Sequence, residues 1–138
     1  LLAKLKAHGI EGNLLTWIGS WLKDRKQRVC LRGSSSTWCR VGSGVPQGSV
    51  LGPVLFLIFI NDLDLGVTGD ILKFADDTKL LGKVDSSEGA VSLQEDLNCL
   101  VNWSETWQMQ FNATKCKVMH IGKGNPRSSY SMNQHVLE

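Results

Sequence analysis

Two adjacent aspartates, Asp76 and Asp77, are the residues of this sequence best suited to chemistry. They follow an apolar segment, so we expect a hairpin with a rigid backbone to hold them at its tip. Two neighbouring carboxylates repel each other unless a cation lies between them. Magnesium binds one or two carboxylates together with substrate phosphates, and paired ions stabilise the attacking and leaving oxygens of phosphoryl transfer. The pair therefore fits a Mg²⁺ site, with a plain Asp-Asp turn as the alternative.

Two other segments offer groups that suit the same chemistry. In the loop Pro46-Gln47-Gly48, glycine lets a ligand approach the backbone closely, and the Gln47 amide supplies both a donor and an acceptor. The alternative is a loop that merely leads into a helix. Lys115 could neutralise or protonate a departing pyrophosphate. The alternative for Lys115 is a solvated charge that protects an edge strand from aggregation.

The hydrophobic pattern predicts the elements that must position these groups. Apolar spacing favours helices, and alternation between turn signals favours strands. We predict a helix over 13–25, strands over 27–32 and 37–41, a buried helix over 54–63 with Pro53 in its first turn, strands over 71–75 and 78–82, a helix over 87–107, an edge strand over 115–121 and a short hairpin within 129–137.

This order of elements indicates an α+β fold in which an antiparallel sheet carries helices on one face. A turn at Ser34-Ser35 would place Cys30 opposite Cys39 in the first hairpin. Ser92-x-x-Glu95 is either a helix capping box or two surface residues within the long helix.

Composition indicates one folded domain at most. The 138 residues are 42% hydrophobic and 20% charged, which argues against disorder, and three Pro with 14 Gly exclude fibrous classes. The net charge is only +2, but residues 1–45 and 111–138 are basic while residues 46–110 are acidic. This distribution suits a cation site between polyanion-binding surfaces, and scattered solvated charge is the alternative.

The cysteines and histidines do not form a metal-binding motif. No Cys-x-x-Cys spacing occurs among the four cysteines, and the three histidines form no ligand box, so we predict no zinc site. We expect reduced thiols in an intracellular protein, with nucleus and cytoplasm both open. The longest apolar run, residues 50–60, is shorter than the roughly 20 residues that span a bilayer, so we predict no membrane segment.

The motifs in their order resemble one family, the reverse transcriptases of non-long-terminal-repeat retrotransposons of the long interspersed element class. The resemblance extends over nearly the whole chain and includes Trp103. It is carried by Ala7-His-Gly-Ile10, Trp21-Leu-x-x-Arg25-x-Gln-Arg-Val29, Gly44-Val-Pro-Gln-Gly-Ser-Val-Leu-Gly-Pro53, Phe59-Ile-Asn-Asp-Leu63, Lys73-Phe-Ala-Asp-Asp-Thr-Lys79 and Asn112-x-x-Lys115.

The resemblance implies the palm of a polymerase right hand. Residues 43–83 would form palm motifs B and C, and residues 84–121 the palm helix and motif D. Residues 1–42 would be palm and fingers-side structure, and residues 122–138 would lead toward the thumb.

The implied reaction adds deoxynucleotides to a primer 3′-hydroxyl on an RNA template, with two Mg²⁺ ions. The implied partners are therefore an RNA template, a DNA primer and deoxynucleoside triphosphates. Asp76 would be a direct metal ligand, and Asp77 would have a lesser role beside it. Phe74 and Ala75 would lie beside the primer end, and Lys115 near the departing pyrophosphate. Pro46, Gln47 and Gly48 would border the nascent base pair and the template.

One departure from the family pattern limits the expected activity. Motif A, which carries the other essential metal-binding aspartate, would lie just before residue 1. None of Glu11, Asp24, Asp62 and Asp64 stands in a motif that could replace it. We therefore expect an internal fragment that is inactive by itself, and the alternative function is that of a non-catalytic nucleic-acid-binding remnant of a retrotransposon.

Overall fold

The chain contains four α-helices and four antiparallel strand pairs, and the computed structural model describes all of residues 1–138. By internal contacts the chain divides into two compact units, Leu1–Asn61 and Asp62–Glu138. The mixture of helices and antiparallel strands agrees with an α+β class. The prediction of one antiparallel sheet is wrong, since the strands form four separate sheets of two strands each. Each strand hydrogen-bonds only to the strand with which it forms a hairpin.

Two helices open the first unit: α1 (Leu2–Ala7) and α2 (Gly12–Leu22). The short helix α1 was not predicted. Helix α2 ends three residues before the predicted boundary at Arg25, because Lys23 is extended and Asp24 has a φ of 51°. The Arg25 Nε–H then donates to the Leu22 carbonyl at 3.0 Å, which satisfies one of the last carbonyls of the helix.

The core of the first unit is formed by Leu5, Ile18 and Leu55, one from each of its three helices. The third helix, α3 (Leu51–Ile60), has Pro53 in its first turn as predicted, but it begins and ends three residues earlier than the predicted range 54–63. The prediction that this apolar helix is fully buried is wrong, since Val54 and Leu57 are 49% and 56% exposed. Helix α1 covers the face of α3 that carries Leu55, and nothing within the unit covers the opposite face.

A long hairpin joins α2 to α3. Its strands are β1 (Lys26–Gln27), β2 (Cys30–Leu31), β3 (Ser34–Ser35) and β4 (Cys39–Arg40). Strand β2 pairs with β3, and β1 with β4. The predicted turn at Ser34-Ser35 is wrong, because Arg32 and Gly33 occupy the turn with φ of 47° and 82°. Cys30 therefore faces Ser35, Cys39 faces Gln27, and both thiols are free.

The second unit is built on a hairpin and a long helix. Strand β5 (Asp70–Phe74) pairs with β6 (Asp77–Leu81), one residue earlier in each strand than predicted. Helix α4 (Ser87–Trp107) confirms the predicted bounds. Its N-cap is Ser86, whose side chain accepts from the Gly89 N–H at 3.3 Å, so the Ser92-x-x-Glu95 motif lies within the helix and does not cap it.

In the last third of the second unit, the predicted edge strand is absent and the predicted hairpin is present. Residues 115–121 do not form a strand, and only a short 3₁₀ helix, η1 (Ala113–Lys115), occurs there. Alternation alone does not make a strand when no neighbouring strand offers a ladder of hydrogen bonds. The terminal hairpin is confirmed as β7 (Ser131–Met132) and β8 (His135–Val136). None of the helices combines the length and the apolar character needed to cross a bilayer.

The two faces of α3 provide a matched test of the first core. Leu55→Ala removes a side chain that is 1% exposed, so we expect the free energy of unfolding to fall by about 2–5 kcal/mol. Leu57→Ala makes the same change on the exposed face of the same helix and should cost less than about 1 kcal/mol. Urea denaturation of both variants measures the difference, and equal losses would contradict this description of the core.

Candidate active site

The two adjacent aspartates lie at the tip of the β5–β6 hairpin. Phe74 pairs with Asp77, which leaves Ala75 and Asp76 as the two residues of the turn. Ala75 has a φ of 52°, and the common two-residue hairpin turns have a positive φ at their first residue. Asp76 thus lies in the turn, whereas Asp77 is the first residue of β6. Both carboxylates are exposed, as is Phe74 at 83%, so the tip is open to a ligand.

A buried carboxylate of helix α4 holds the base of this hairpin. Asp96 is only 3% exposed and accepts from the backbone N–H groups of Thr68 at 2.7 Å and Gly69 at 2.8 Å. The Thr68 hydroxyl also donates to it at 3.1 Å. Gly69 lies so close to Leu81 that an added Cβ would be 2.6 Å from the Leu81 carbonyl oxygen. These contacts fix where β5 begins, and the pairing with β6 transmits that position to the tip.

Two nearby carboxylates of the second unit are already engaged by other groups. Asp64 forms an ion pair with Lys73 at 2.9 Å, and the hydrogen bond from Lys73 lowers the pKa of Asp64 below its usual value. Asp62 accepts from the Trp103 indole N–H at 2.9 Å. These bonds tie the segment after α3 to β5 and to α4.

The loop that contains Pro46, Gln47 and Gly48 belongs to the first unit. The Ser49 hydroxyl donates to the Pro46 carbonyl at 2.7 Å and accepts from the Gly52 N–H at 3.0 Å. Any Cβ on Gly52 would be 2.8 Å from both the Pro46 carbonyl oxygen and the Ser49 hydroxyl, so only glycine fits. Gln47 and Gly48 are exposed beside this fixed turn, and Gly48 has a φ of 77°.

Arg25 holds the segment that precedes this loop. Its Nη2 donates to the Gly44 carbonyl at 2.6 Å and to the Ser43 carbonyl at 3.2 Å, while its Nε caps α2. One guanidinium therefore fixes the loop to the end of a helix. Such use of several donors in one plane suits arginine and not lysine.

The predicted site residues fall into three places. Phe74, Ala75, Asp76 and Asp77 share one hairpin tip, and Pro46–Gly48 share one loop. Lys115 ends η1, where its N–H donates to the Asn112 carbonyl at 2.9 Å, and no hydrogen bond or ion pair joins its side chain to either aspartate. The structure brings no three or more His, Cys, Asp or Glu side chains together as a metal-binding group. The two exposed aspartates supply the hard oxygen donors that Mg²⁺ prefers, but in a smaller number than a complete carboxylate cage.

Sequence reasoning missed the residues that support the site. No contact of Arg25 with the loop and no contact of Asp96 with the hairpin was predicted. Asp96 did carry a signal, since it is an acidic residue between Leu93 and Leu97 on the apolar stripe of α4. A charged residue in such a position is seldom fully buried unless it is paired.

The sequence that forms this site matches one known protein family. A family model described as "Reverse transcriptase (RNA-dependent DNA polymerase)" matches residues 1–135. The chain belongs to this reverse transcriptase family. The match includes the hairpin tip, the Pro46–Gly48 loop and Lys115.

Curated relatives of this chain come from mobile elements and transposons of Drosophila. The RNA-directed DNA polymerase from mobile element jockey of Drosophila melanogaster is 38% identical over 108 residues, which are 72% of this chain and 12% of that protein. The jockey polymerase of Drosophila funebris is 37% identical over 125 residues, 84% of this chain and 14% of that protein. A probable RNA-directed DNA polymerase from transposon BS of Drosophila melanogaster is 36% identical over 105 residues, 70% of this chain and 12% of that protein. The chain thus spans a small part of these relatives, and no solved structure matches it.

The role of Asp96 can be tested against its exposed neighbour on α4. Asp96→Ala removes the buried acceptor of two partly buried backbone N–H groups, so we expect the free energy of unfolding to fall by about 2–4 kcal/mol. Glu95→Ala should change it by less than about 0.5 kcal/mol, since Glu95 is exposed. Chemical denaturation and amide hydrogen exchange at Thr68 and Gly69 measure both effects. Unchanged protection of these two amides in Asp96→Ala would contradict the role.

The Asp64–Lys73 pair gives a prediction for pH. The lowered pKa of Asp64 means that the pair stabilises the fold above the unfolded pKa of about 3.9, and that this contribution is lost as the pH falls through the folded pKa. In Lys73→Met we expect the Asp64 pKa to rise toward its usual value. Carboxyl-carbon NMR titration measures the shift, with Lys79→Met as the control on the opposite face of the hairpin. An Asp64 pKa unaffected by Lys73→Met would contradict the pairing.

Proposed function

We propose that this chain is part of the catalytic palm of an RNA-directed DNA polymerase, which adds deoxynucleotides to a primer 3′-hydroxyl on an RNA template. The observation that carries the proposal is the pair of exposed carboxylates on a rigid hairpin tip, within a family match that extends over residues 1–135. The names of the fly relatives supply the activity. In this assignment residues 43–83 are palm motifs B and C, residues 84–121 are the palm helix and motif D, residues 1–42 are palm and fingers-side structure, and residues 122–138 lead toward the thumb.

The chain's own residues would have distinct roles in this reaction. Asp76, at the turn, would hold Mg²⁺, and Asp77 would contribute from the start of β6. Bound there, Mg²⁺ would stabilise negative charge on the attacking and leaving oxygens. Phe74, flat and exposed beside the turn, would support the primer end together with Ala75. Asp96 is a positioning residue, because it acts only through the base of the hairpin.

The loop and the lysine would bind the other substrates. The Ser49 and Gly52 hydrogen bonds fix the turn beside Pro46, so that Gln47 and Gly48 present an amide and an open backbone to template and nascent pair. Lys115 is exposed and would donate charge to the departing pyrophosphate. Contacts to the nucleic acids would go mainly to backbones and 2′-hydroxyls, because base pairing reads the sequence.

We further propose that a carboxylate from outside these 138 residues completes the metal site. The tip offers two aspartates, and Asp62 and Asp64 are committed to Trp103 and Lys73. The 138-residue chain by itself should therefore catalyse no sustained synthesis. A chimera in which this chain replaces the aligned residues of the Drosophila melanogaster jockey polymerase should be active, since that protein contributes the remainder.

Primer extension on an RNA template with Mg²⁺ tests both the role of Asp76 and the need for an outside carboxylate. In the chimera we expect Asp76→Asn to lower the rate at least about a hundredfold, since two-metal chemistry contributes several kcal/mol to transition-state stabilisation. Asp77→Asn should cost less. Asp70→Asn is the matched control, because Asp70 is an exposed carboxylate at the other end of β5.

The role of Asp76 and the need for an outside carboxylate can each be contradicted by a specific result. An active Asp76→Asn chimera would overturn the metal-binding role of Asp76. Sustained extension by the isolated chain, abolished by Asp76→Asn, would overturn the requirement for an outside carboxylate. A chimera that binds template and primer but never extends would favour the alternative of a non-catalytic nucleic-acid-binding remnant.

A further inference from the structure

The hairpin between α2 and α3, residues 26–40, has no part in the packing of the first unit. We call it the arm. Every residue of the arm is exposed, including Val29 and Leu31. Its hydrogen bonds are nevertheless complete enough to give it a defined shape. The Val41 N–H donates to the Arg25 carbonyl at 2.9 Å at its base, and the Ser36 N–H donates to the Val29 carbonyl at 2.9 Å in its middle. A well-formed element with no buried face is best explained by a ligand or partner.

The arm is cationic and carries no neutralising groups. Its cations are Lys26, Arg28, Arg32 and Arg40, and no Asp or Glu occurs anywhere between residues 25 and 61. No ion pair involves the arm, and those of Lys73, Lys83 and Lys117 lie elsewhere in the chain. These four positive charges are therefore available to an external anion.

The pairing register places like charges directly opposite each other. Lys26 faces Arg40 across the ladder, and Gln27 faces Cys39. Like charges in directly opposed positions destabilise a strand pair. Folding alone gives no reason for this arrangement, whereas an anion bound between the two side chains would turn the repulsion into attraction.

The same face of the arm also carries an open aromatic ring. Arg28 and Trp38 are the residues next to the last ladder pair, Gln27 and Cys39, and continued alternation would put both side chains on the face of Lys26 and Arg40. The Arg28 guanidinium carbon is 4.7 Å from the centroid of the Trp38 ring. Trp38 remains 58% exposed. The contact holds the indole in place and leaves aromatic surface available for stacking.

We propose that this face of the arm binds single-stranded nucleic acid, with phosphates at Lys26 and Arg40 and an unpaired base stacked against the Trp38–Arg28 pair. Phosphates match the uncompensated cations, and an exposed aromatic or guanidinium plane can stack only on a base that is not paired. The proposal rests on the proposed function for the identity of the strand, which would be template or primer outside the duplex. It assigns a second nucleic-acid contact, separate from the hairpin tip that carries Asp76.

Fluorescence anisotropy with the 138-residue chain tests the proposal. The probe is a labelled oligouridylate of about 12 nucleotides, a length within the range that small single-strand binders cover. EDTA is present and nucleotides are absent, so polymerisation plays no part. Because the assay contains neither Mg²⁺ nor nucleotides, a failure of binding is measured separately from a failure of the proposed enzyme activity.

Two pairs of variants separate stacking from charge. Trp38→Leu should weaken binding about five- to a hundredfold, the range expected when one base–aromatic stack is lost. Trp17→Leu is its control, since Trp17 is an equally exposed indole on α2 at 54%. Arg40→Gln should weaken binding and lower the slope of log K against log salt by about 0.7. Its control is Lys6→Gln, which makes the same charge change on α1 and should leave binding within about twofold.

Thermal stability gives a readout that a purely structural role would not produce. Arg40→Gln removes the like-charge pair with Lys26, so the melting temperature should stay constant or rise while binding falls. A lower melting temperature with unchanged binding would overturn the proposal. So would equal binding by parent, Trp38→Leu and Arg40→Gln, or a complete failure of the parent to bind.

Competitors identify the ligand. Oligodeoxythymidylate of the same length distinguishes DNA from RNA as the source of the strand, and competition by either single strand supports the proposal. Duplex RNA or polyglutamate that competes as well as the single strand would show a surface for any polyanion. That result would overturn the assignment to unpaired bases.

Discussion

The Asp96 carboxylate has little access to water, and that constraint governs the second unit. A buried carboxylate is tolerated only when hydrogen bonds replace its hydration, and here two backbone N–H groups and a hydroxyl do so. The donors come from Thr68 and Gly69, immediately before β5. Satisfying Asp96 therefore requires this segment to lie against α4. The position of the hairpin, and with it the position of Asp76 in the turn, follows from the need of Asp96 on α4 for hydrogen-bond donors.

The long helix could be predicted from sequence to the residue because many independent signals agree over its length. The apolar stripe, the preceding serine and the absence of proline all favour the same element. The hairpin tip was predicted one residue late because Asp-Asp resembles a turn by composition. The observed register instead pairs Ile71 with Leu80, whereas the predicted turn would have paired Leu80 with Lys73. Side-chain pairing on the covered face overrides the turn preference of Asp77.

Other errors arise from tertiary context that the local sequence does not contain. The turn of the arm had a local signal in Gly33, which adopts the positive φ that such turns need, and the run of serines obscured it. The segment 115–121 had the alternation of a strand, but no partner strand lies beside it. The exposed face of α3 could not be foreseen either, because hydrophobicity reports what a helix prefers and not which neighbours the chain supplies. The candidate site residues could be found from their chemistry, and the resemblance supplied their roles. The supporting bonds of Asp96 and Arg25 became visible only in three dimensions.

The hairpin tip and the arm each bring side chains of like charge together, negative at the tip and positive in the arm. At the tip, Asp76 and Asp77 lie next to each other and repel unless a cation is present. In the arm, Lys26 and Arg40 oppose each other and repel unless an anion is present. Each arrangement costs some stability in the free protein, and each would be relieved by one component of a polymerase complex, a divalent metal or a nucleic-acid strand. Because both pairs lie on exposed hairpins outside the two cores, this cost is placed where folding can tolerate it. The like-charge pairs are thus features that a ligand would explain and that folding alone would disfavour.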